Sequence, residues 1–204
     1  LHPDDDPYIP SNVYPNIPAY PYGKTSFSVG VLQPGAVEYA WTSTNYERPE
    51  TKDLVIYELL LRDFLEESSY QTLIDTLDYI DRLGVTAIEL MPVNEFEGNL
   101  SWGYNPAFHL ALDKYYGTQN AFKAFVDAAH ARGIAVILDV VLNHAYGRSP
   151  IIRLWNEGDY GPPTSKNPYA NTVAKHPYNV GYDLNHESAA TRYFSKRVMQ
   201  YWLE

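Results

Sequence analysis

The sequence contains no cysteine. That excludes disulfides, thiolate metal sites and a cysteine nucleophile, and leaves the compartment open, because many exported proteins also lack the residue. Basic charge is scarce: 15 Lys and Arg stand against 25 Asp and Glu, a net charge of −10, and no basic cluster occurs. A phosphate-tracking surface is therefore not expected, so nucleic acid is not a partner and the expected partner is neutral or cationic. No apolar run approaches the roughly 18 residues that a membrane-spanning helix needs, so no membrane partner is expected either. The chain begins at Leu1 with neither Met nor a signal-type apolar region, and it is read as a processed or excised segment. What the chain has in excess is aromatic side chain, 15% of residues, led by 19 Tyr.

Residues 1 to 50 hold Pro3, Pro7, Pro10, Pro15, Pro18, Pro21, Pro34 and Pro49, with β-like stretches at Ser26 to Leu32 and Ala36 to Thr42. Proline at that density excludes helix and central strand, and residues 1–50 read as the tail of a small N-terminal β domain plus a linker. From Asp53 onward strands and helices alternate. Leu54 to Leu61, Val85 to Met91 and Ile134 to Leu142 are near-continuous apolar runs, as expected of strands covered on both faces. Ser68 and Gln71 have capping-box spacing ahead of Leu73, Ile74, Leu77, Ile80 and Leu83, which recur at helical period until Gly84. Thr118 caps a second helix with Phe122, Phe125, Val126 and Ala129 on its apolar face, ending at Gly133. A last helix is expected from about Glu187 to the end, with Tyr193, Phe194, Val198, Tyr201 and Trp202 on its apolar side. Alternation of this kind implies right-handed βαβ units and a parallel sheet. A closed (β/α)8 barrel needs about 250 residues, so residues 51–204 are one ordinary α/β domain or part of a larger one. The strand-to-helix links, Pro92 to Gly117 and Asn143 to His186, are long, whereas the helix-to-strand links are one or two residues. Long loops on that side alone point to a ligand site at the C-terminal ends of the strands.

Each strand carries one acid in an apolar run: Glu58, Glu89 and Asp139. An unpaired carboxylate there is costly, so partners are required. A polar layer inside a barrel is the plainer reading for Glu58 and Glu89. Asp139 lies nearer the functional end of its strand, where structure and function are equally good explanations. Asp139-Val140-Val141-Leu142-Asn143-His144 puts an acid, an amide and an imidazole at that end. Asn143 offers a carbonyl oxygen suited to a hard cation and His144 a donor suited to a sugar oxygen; a polar loop start that caps backbone groups is the plainer alternative. Trp102-Gly103-Tyr104-Asn105-Pro106 lies in the second long loop among Phe96, Phe108, Tyr115 and Tyr116. Exposed rings beside polar groups suit pyranose faces, while packing the loop down is the favoured reading for Phe108, Tyr115 and Tyr116. Asp183, in Gly181-Tyr182-Asp183-Leu184-Asn185, reads as a metal ligand or, more simply, as support for the cap of the next helix.

These blocks, in this order, resemble the alpha-amylase superfamily, glycoside hydrolase family 13. The resemblance runs from Asp53 to Glu204 through Val55 to Phe64, Val85 to Pro92, Trp102 to Pro106, Asp139 to His144 and Gly181 to Asn185. Ile88-Glu89-Leu90-Met91-Pro92 followed by Trp102-Gly103-Tyr104 looks like the branch with an N-terminal β-sandwich, as in branching enzymes and pullulanases. The resemblance implies an α/β fold, a partial (β/α)8 TIM barrel made of its first three βα units, preceded by a short β/linker segment. It implies α-glucan substrates and retaining, two-carboxylate chemistry. Tyr104 would stack on the sugar with Trp102 beside it, His144 would hydrogen-bond the sugar hydroxyls, Asp139 would organise the site, and Asn143 and Asp183 match calcium ligands. The family's nucleophile, acid/base and stabilising carboxylates lie on later strands, and Tyr201-Trp202-Leu203-Glu204 falls just before the fourth. Glu58, Glu89 and Asp139 do not replace them, so this stretch is expected to be incompetent by itself and to associate through the open barrel edge. The protein is expected to be secreted, periplasmic or at the cell surface. The alternatives are a branching or debranching enzyme and a non-catalytic glucan-binding piece.

Overall fold

The computed structural model describes residues 20–32, 34–178 and 180–204. In chain order its strands are β1 (Ile56–Leu59), β2 (Ala87–Leu90), β3 (Asn94–Phe96), β4 (Pro106–Leu112), β5 (Ala135–Leu138), β6 (His144–Ala145) and β7 (Tyr182–Asp183). Its helices are α1 (Leu61–Phe64), α2 (Tyr70–Arg82), α3 (Gln119–His130), α4 (Pro150–Arg153) and α5 (Ala189–Leu203). The described residues divide into two compact units, one made of those from Tyr20 to Val93 with Leu112–Asp139, the other of Asn94–Ala111 with those from Val140 to Glu204.

In the first unit β1, β2 and β5 form a parallel sheet in that order, with Ile56 opposite Ala87 and Ala87 opposite Ala135. The strands are shorter than their apolar runs. Leu61 already begins α1, Pro92 lacks the N–H needed to extend the ladder, and only the Asp139 N–H, donating to the Leu90 carbonyl at 3.0 Å, prolongs β5. The register places Glu58 opposite Glu89; Glu58 is exposed and Glu89 half-buried. The helices cover the sheet. α2 buries Tyr70, Leu73, Leu77 and Ile80, one stripe at helical period, and α3 buries Phe122, Phe125 and Ala129. Each of these Leu, Ile and Phe side chains is worth about 1.5–3 kcal/mol removed from water. The capping box of α2 sits one residue later than the Ser68–Gln71 spacing suggests. Ser69 Oγ accepts from the Thr72 N–H at 3.2 Å and the Ser69 N–H donates to Thr72 Oγ1, while Ser68 Oγ is spent on the Arg62 carbonyl. Thr118 caps α3 as expected, accepting from the Ala121 N–H at 3.1 Å.

The β-like stretches at 26–32 and 36–42 form no strand. Their alternation is real, but the backbone bonds of 42–43 go elsewhere, to α3. Asp127 Oδ2 accepts from Tyr39 Oη at 2.9 Å, from the Thr42 N–H at 2.9 Å and from Thr42 Oγ1 at 2.6 Å; Asp127 Oδ1 accepts from the Ser43 N–H at 2.7 Å. Ser43 Oγ returns a bond to the Asp127 carbonyl at 2.9 Å. Tyr46 stacks flat on His130, ring centroids 3.7 Å apart, and Asn120 Nδ2 donates to the Val37 carbonyl. The segment is thus strapped along α3. The prolines at 3, 7, 10, 15 and 18 lie outside the described residues.

The second unit is built around Ala145, Ile151, Ile152, Ala170 and Leu184, with Tyr169, Tyr182 and Phe194 against them. β6 and β7 pair antiparallel, His144 opposite Asp183 and Ala145 opposite Tyr182. Asn167 organises the intervening loop, donating to the Ile151 carbonyl and accepting from the N–H groups of Tyr169 and Ala170. Ser188 caps α5, whose buried residues are Thr191 and Val198. Tyr193, assigned to the apolar side by period alone, is exposed, whereas Trp202 turns inward and donates its Nε1–H to the His109 carbonyl at 2.8 Å.

Candidate functional site

The Trp102–Pro106 loop joins β3 to β4, and polar bonds fix it at both ends. The Glu97 N–H donates to the Asn105 carbonyl at 3.1 Å and Asn105 Nδ2 returns a bond to the Glu97 carbonyl at 2.8 Å. Ser101 Oγ bonds the Asn105 side chain and accepts from the Gly103 N–H. The backbone is held while the rings are not covered: Trp102 is 60% and Tyr104 37% exposed. Phe96 and Tyr116, by contrast, are buried, as packing side chains should be.

Facing this loop, β6 contributes His144, which is 5% exposed. Its Nε2 lies 2.7 Å from the Tyr104 carbonyl and its Nδ1 3.0 Å from Asn143 Oδ1. Two residues on, the Tyr146 N–H donates to the Pro106 carbonyl at 3.0 Å. The loop and the strand end therefore share two rungs, one from a side chain and one from the backbone. His109 on β4 is 3% exposed with its ring edge-on to Phe194, and among the described residues neither ring nitrogen makes a well-aligned hydrogen bond, the carbonyls of Val141 and His144 being its nearest acceptors. Burial pushes the His109 imidazole down to about 4; backbone acceptors of Val141 and His144 oppose that shift without reversing it. Sequence reasoning passed over His109, whose position in β4 carries no motif.

Asp183 sits opposite His144 with nitrogen atoms beside both carboxylate oxygens. Asn171 Nδ2 reaches Oδ2 at 2.7 Å, the Lys175 N–H reaches the same oxygen at 3.2 Å, and His176 Nε2 lies 3.2 Å from Oδ1. Asn143 Oδ1 faces the imidazole. Calcium takes 6 to 8 oxygens, and among the described residues no group of three or more His, Cys, Asp or Glu converges. As arranged here Asn143 and Asp183 do not fit a hard cation, which would have to displace two N–H groups and an imidazole nitrogen and find its oxygens elsewhere. Asp139 closes β5 in the other unit, half-buried.

Residues 66–152 match the family described as "Alpha amylase, catalytic domain". The malto-oligosyltrehalose trehalohydrolase of Saccharolobus solfataricus is 34% identical over 81% of this chain, and the pullulanase of Bacillus subtilis 30% identical over 85%. The chain spans 28% of the length of each of these two relatives. Among solved structures, one from Salmonella typhimurium aligns with TM-score 0.66 at 32% identity, covering 85% of this chain and 27% of that one. A noncanonic maltogenic alpha-amylase from Thermotoga neapolitana aligns with TM-score 0.60 at 25% identity, covering 75% and 37%.

Proposed function

We propose, from the premise that this chain belongs to the alpha-amylase family and supplies the first three βα units of its catalytic barrel, that the protein is an α-glucan hydrolase in which this segment holds the sugar. The observation that carries the reading is the pair of exposed rings, Trp102 and Tyr104, on a backbone fixed by polar bonds. Aromatic faces held still beside hydrogen-bonding groups match the apolar faces and equatorial hydroxyls of glucose units. Relatives named as a malto-oligosyltrehalose trehalohydrolase and a pullulanase support hydrolysis over transfer and a malto-oligosaccharide as ligand. A secreted, periplasmic or cell-surface location belongs to the same proposal.

Maltoheptaose titrated into the 204-residue chain is expected to bind, and Trp102→Ala and Tyr104→Ala are each expected to weaken it roughly tenfold, the loss of about 1.4 kcal/mol of stacking. Soluble starch is expected to release no reducing ends with this chain alone, since a retaining glycosidase needs two carboxyl groups about 5–5.5 Å apart, and the family places them on later strands. Binding unaffected by both substitutions sinks the sugar-holding role; turnover above a heat-treated control sinks the division of labour.

The sheet edges follow from the same premise. Among the described residues β1 and β5 each pair on one side only, and Val55 and Ile56 beside the β1 ladder are 55% and 48% exposed. In a barrel both edges meet neighbouring strands, and left open they invite pairing with another copy. Light scattering of the 204-residue chain is therefore expected to show dimers or larger species. A monomer that unfolds cooperatively would mean that the edges are protected in another way.

A further inference from the structure

We propose that Asp183 clasps a loop of its own chain, residues 171–176, in place of the calcium ion that the family resemblance implies, so that the β6–β7 region keeps its form without a metal. The inference concerns the fold of this segment and holds whether or not the chain takes a glucan.

The Asp183 side chain is 10% exposed, and a carboxylate drawn that far from water needs either a cation or hydrogen-bond donors beside it. Here the donors come from the loop. A carboxylate oxygen has two lone-pair positions, and on Oδ2 both are used: Asn171 Nδ2 donates at 2.7 Å and the Lys175 N–H at 3.2 Å. His176 Nε2 stands 3.2 Å from Oδ1, across the approach to the second oxygen. Calcium binds oxygen at about 2.3–2.6 Å, closer than either N–H group, and it repels the positive ends of their dipoles. Ion and clasp therefore exclude each other.

The loop is gripped at both ends. Asn171, at its start, also gives its backbone N–H to the Asp183 carbonyl at 2.9 Å, and Lys175, near its end, reaches Glu187 Oε2 with Nζ at 2.6 Å. That outer ion pair is exposed and contributes little. The inner bonds, on a covered carboxylate, hold the loop. The second residue of the expected calcium pair is out of step with the first. His144 stands opposite Asp183, so Asn143 falls opposite Leu184, whose N–H donates to the Asn143 carbonyl at 2.9 Å. The side-chain oxygen of Asn143 lies 3.0 Å from His144 Nδ1.

The test uses the 204-residue chain, stripped with chelator and titrated with calcium chloride. Calorimetry is expected to show no binding tighter than about 1 mM. Calcium chloride at about 100 times the Kd of a genuine site raises Tm by about 5 °C or more; here the expected shift is less than about 1 °C. Asp183→Asn, which keeps the shape but turns an NH2 toward the donors, is expected to speed amide exchange at Lys175 and its loop neighbours by about tenfold. Asn171→Ala, which removes only the shorter donor, is expected to speed it by about threefold. Amides of α5 report whether each variant remains folded. Calcium binding tighter than about 1 mM that Asp183→Asn abolishes would make Asp183 a metal ligand and overturn the proposal. Loop exchange that both substitutions leave unchanged in folded protein would overturn it as well. Wild-type protein indifferent to calcium, with faster loop exchange in both variants, is the result that the clasp requires, and maltoheptaose binding can succeed or fail without bearing on it.

Discussion

Asp127→Ala is expected to lower the unfolding free energy by about 2–3 kcal/mol, the largest loss from any single polar side chain in the first unit. Three hydrogen bonds converge on one carboxylate oxygen and a fourth on the other, from a residue only 3% exposed. Burial alone would raise its pKa, but the donors of Thr42, Ser43 and Tyr39 outweigh it and hold the carboxyl well below the ordinary range. Thr42 is exposed, so water replaces part of what is lost and the cost stays below the sum of four charged bonds. The depressed value fixes the sign of the pH effect: this stabilisation is full above the unfolded carboxyl pKa of about 3.9 and is lost only below it. Urea unfolding at neutral pH gives the magnitude, and hydrogen exchange at Thr42 and Ser43 gives the place. A variant within about 0.5 kcal/mol of wild type, with both amides still protected, would show that the strap is held by the Tyr46–His130 stack instead.

A second loss is expected at higher pH from a different residue. With its imidazole held to about 4 against an ordinary 6.5, His109 is neutral in the folded protein while the unfolded chain takes up a proton. Stability therefore falls as pH drops from about 6.5 to about 4, by roughly 3 kcal/mol in total, and His109 adds nothing further below that. His130 is also lowered, by burial against the opposing charge of Asp127, and contributes in the same direction. Unfolding measured at pH 7, 5.5 and 4.5 should show the slope, and His109→Phe should remove most of it, leaving the His130 share. An unchanged slope in the phenylalanine variant would mean that the folded protein does not lower the His109 pKa.

The repeating βα pattern was legible because strand and helix periods differ and because glycine and proline punctuate both. The α3 cap at Thr118 was legible for the same reason. The α2 cap was displaced by one residue because Ser68 and Ser69 are both competent, and a Thr at the third position does the work usually given to Glu or Gln. The strands were drawn too long, since apolar character continues past the last backbone rung. The stretches at 26–32 and 36–42 misled because alternation reports a half-buried segment without saying whether its partner is a strand or a carboxylate on a helix. Asp127 did leave a signal, a lone acid within the apolar stripe Phe122, Phe125, Val126 and Ala129. The partner of His144 left none. It is a backbone carbonyl, which every residue possesses, and only the fold decides which one arrives.

The order of the parallel sheet has a consequence for how the chain assembles as it is made. β1, β2 and β5 lie side by side in the order in which they are synthesised. Each strand therefore meets an edge that already exists, and none must insert between two earlier neighbours. Ile56 finds Ala87 after an interval that holds α1 and α2, and Ala87 finds Ala135 after one that holds the β3–β4 pair and α3. Loop closure over such spans is inexpensive and grows only slowly with length, so the sheet can lengthen one unit at a time behind the growing end. The strap reverses that direction. Residues 39–43 emerge first yet reach their partner only when Asp127 has been added, 84 to 88 positions later, so they settle after β1, β2 and α2 have been made and only just ahead of β5.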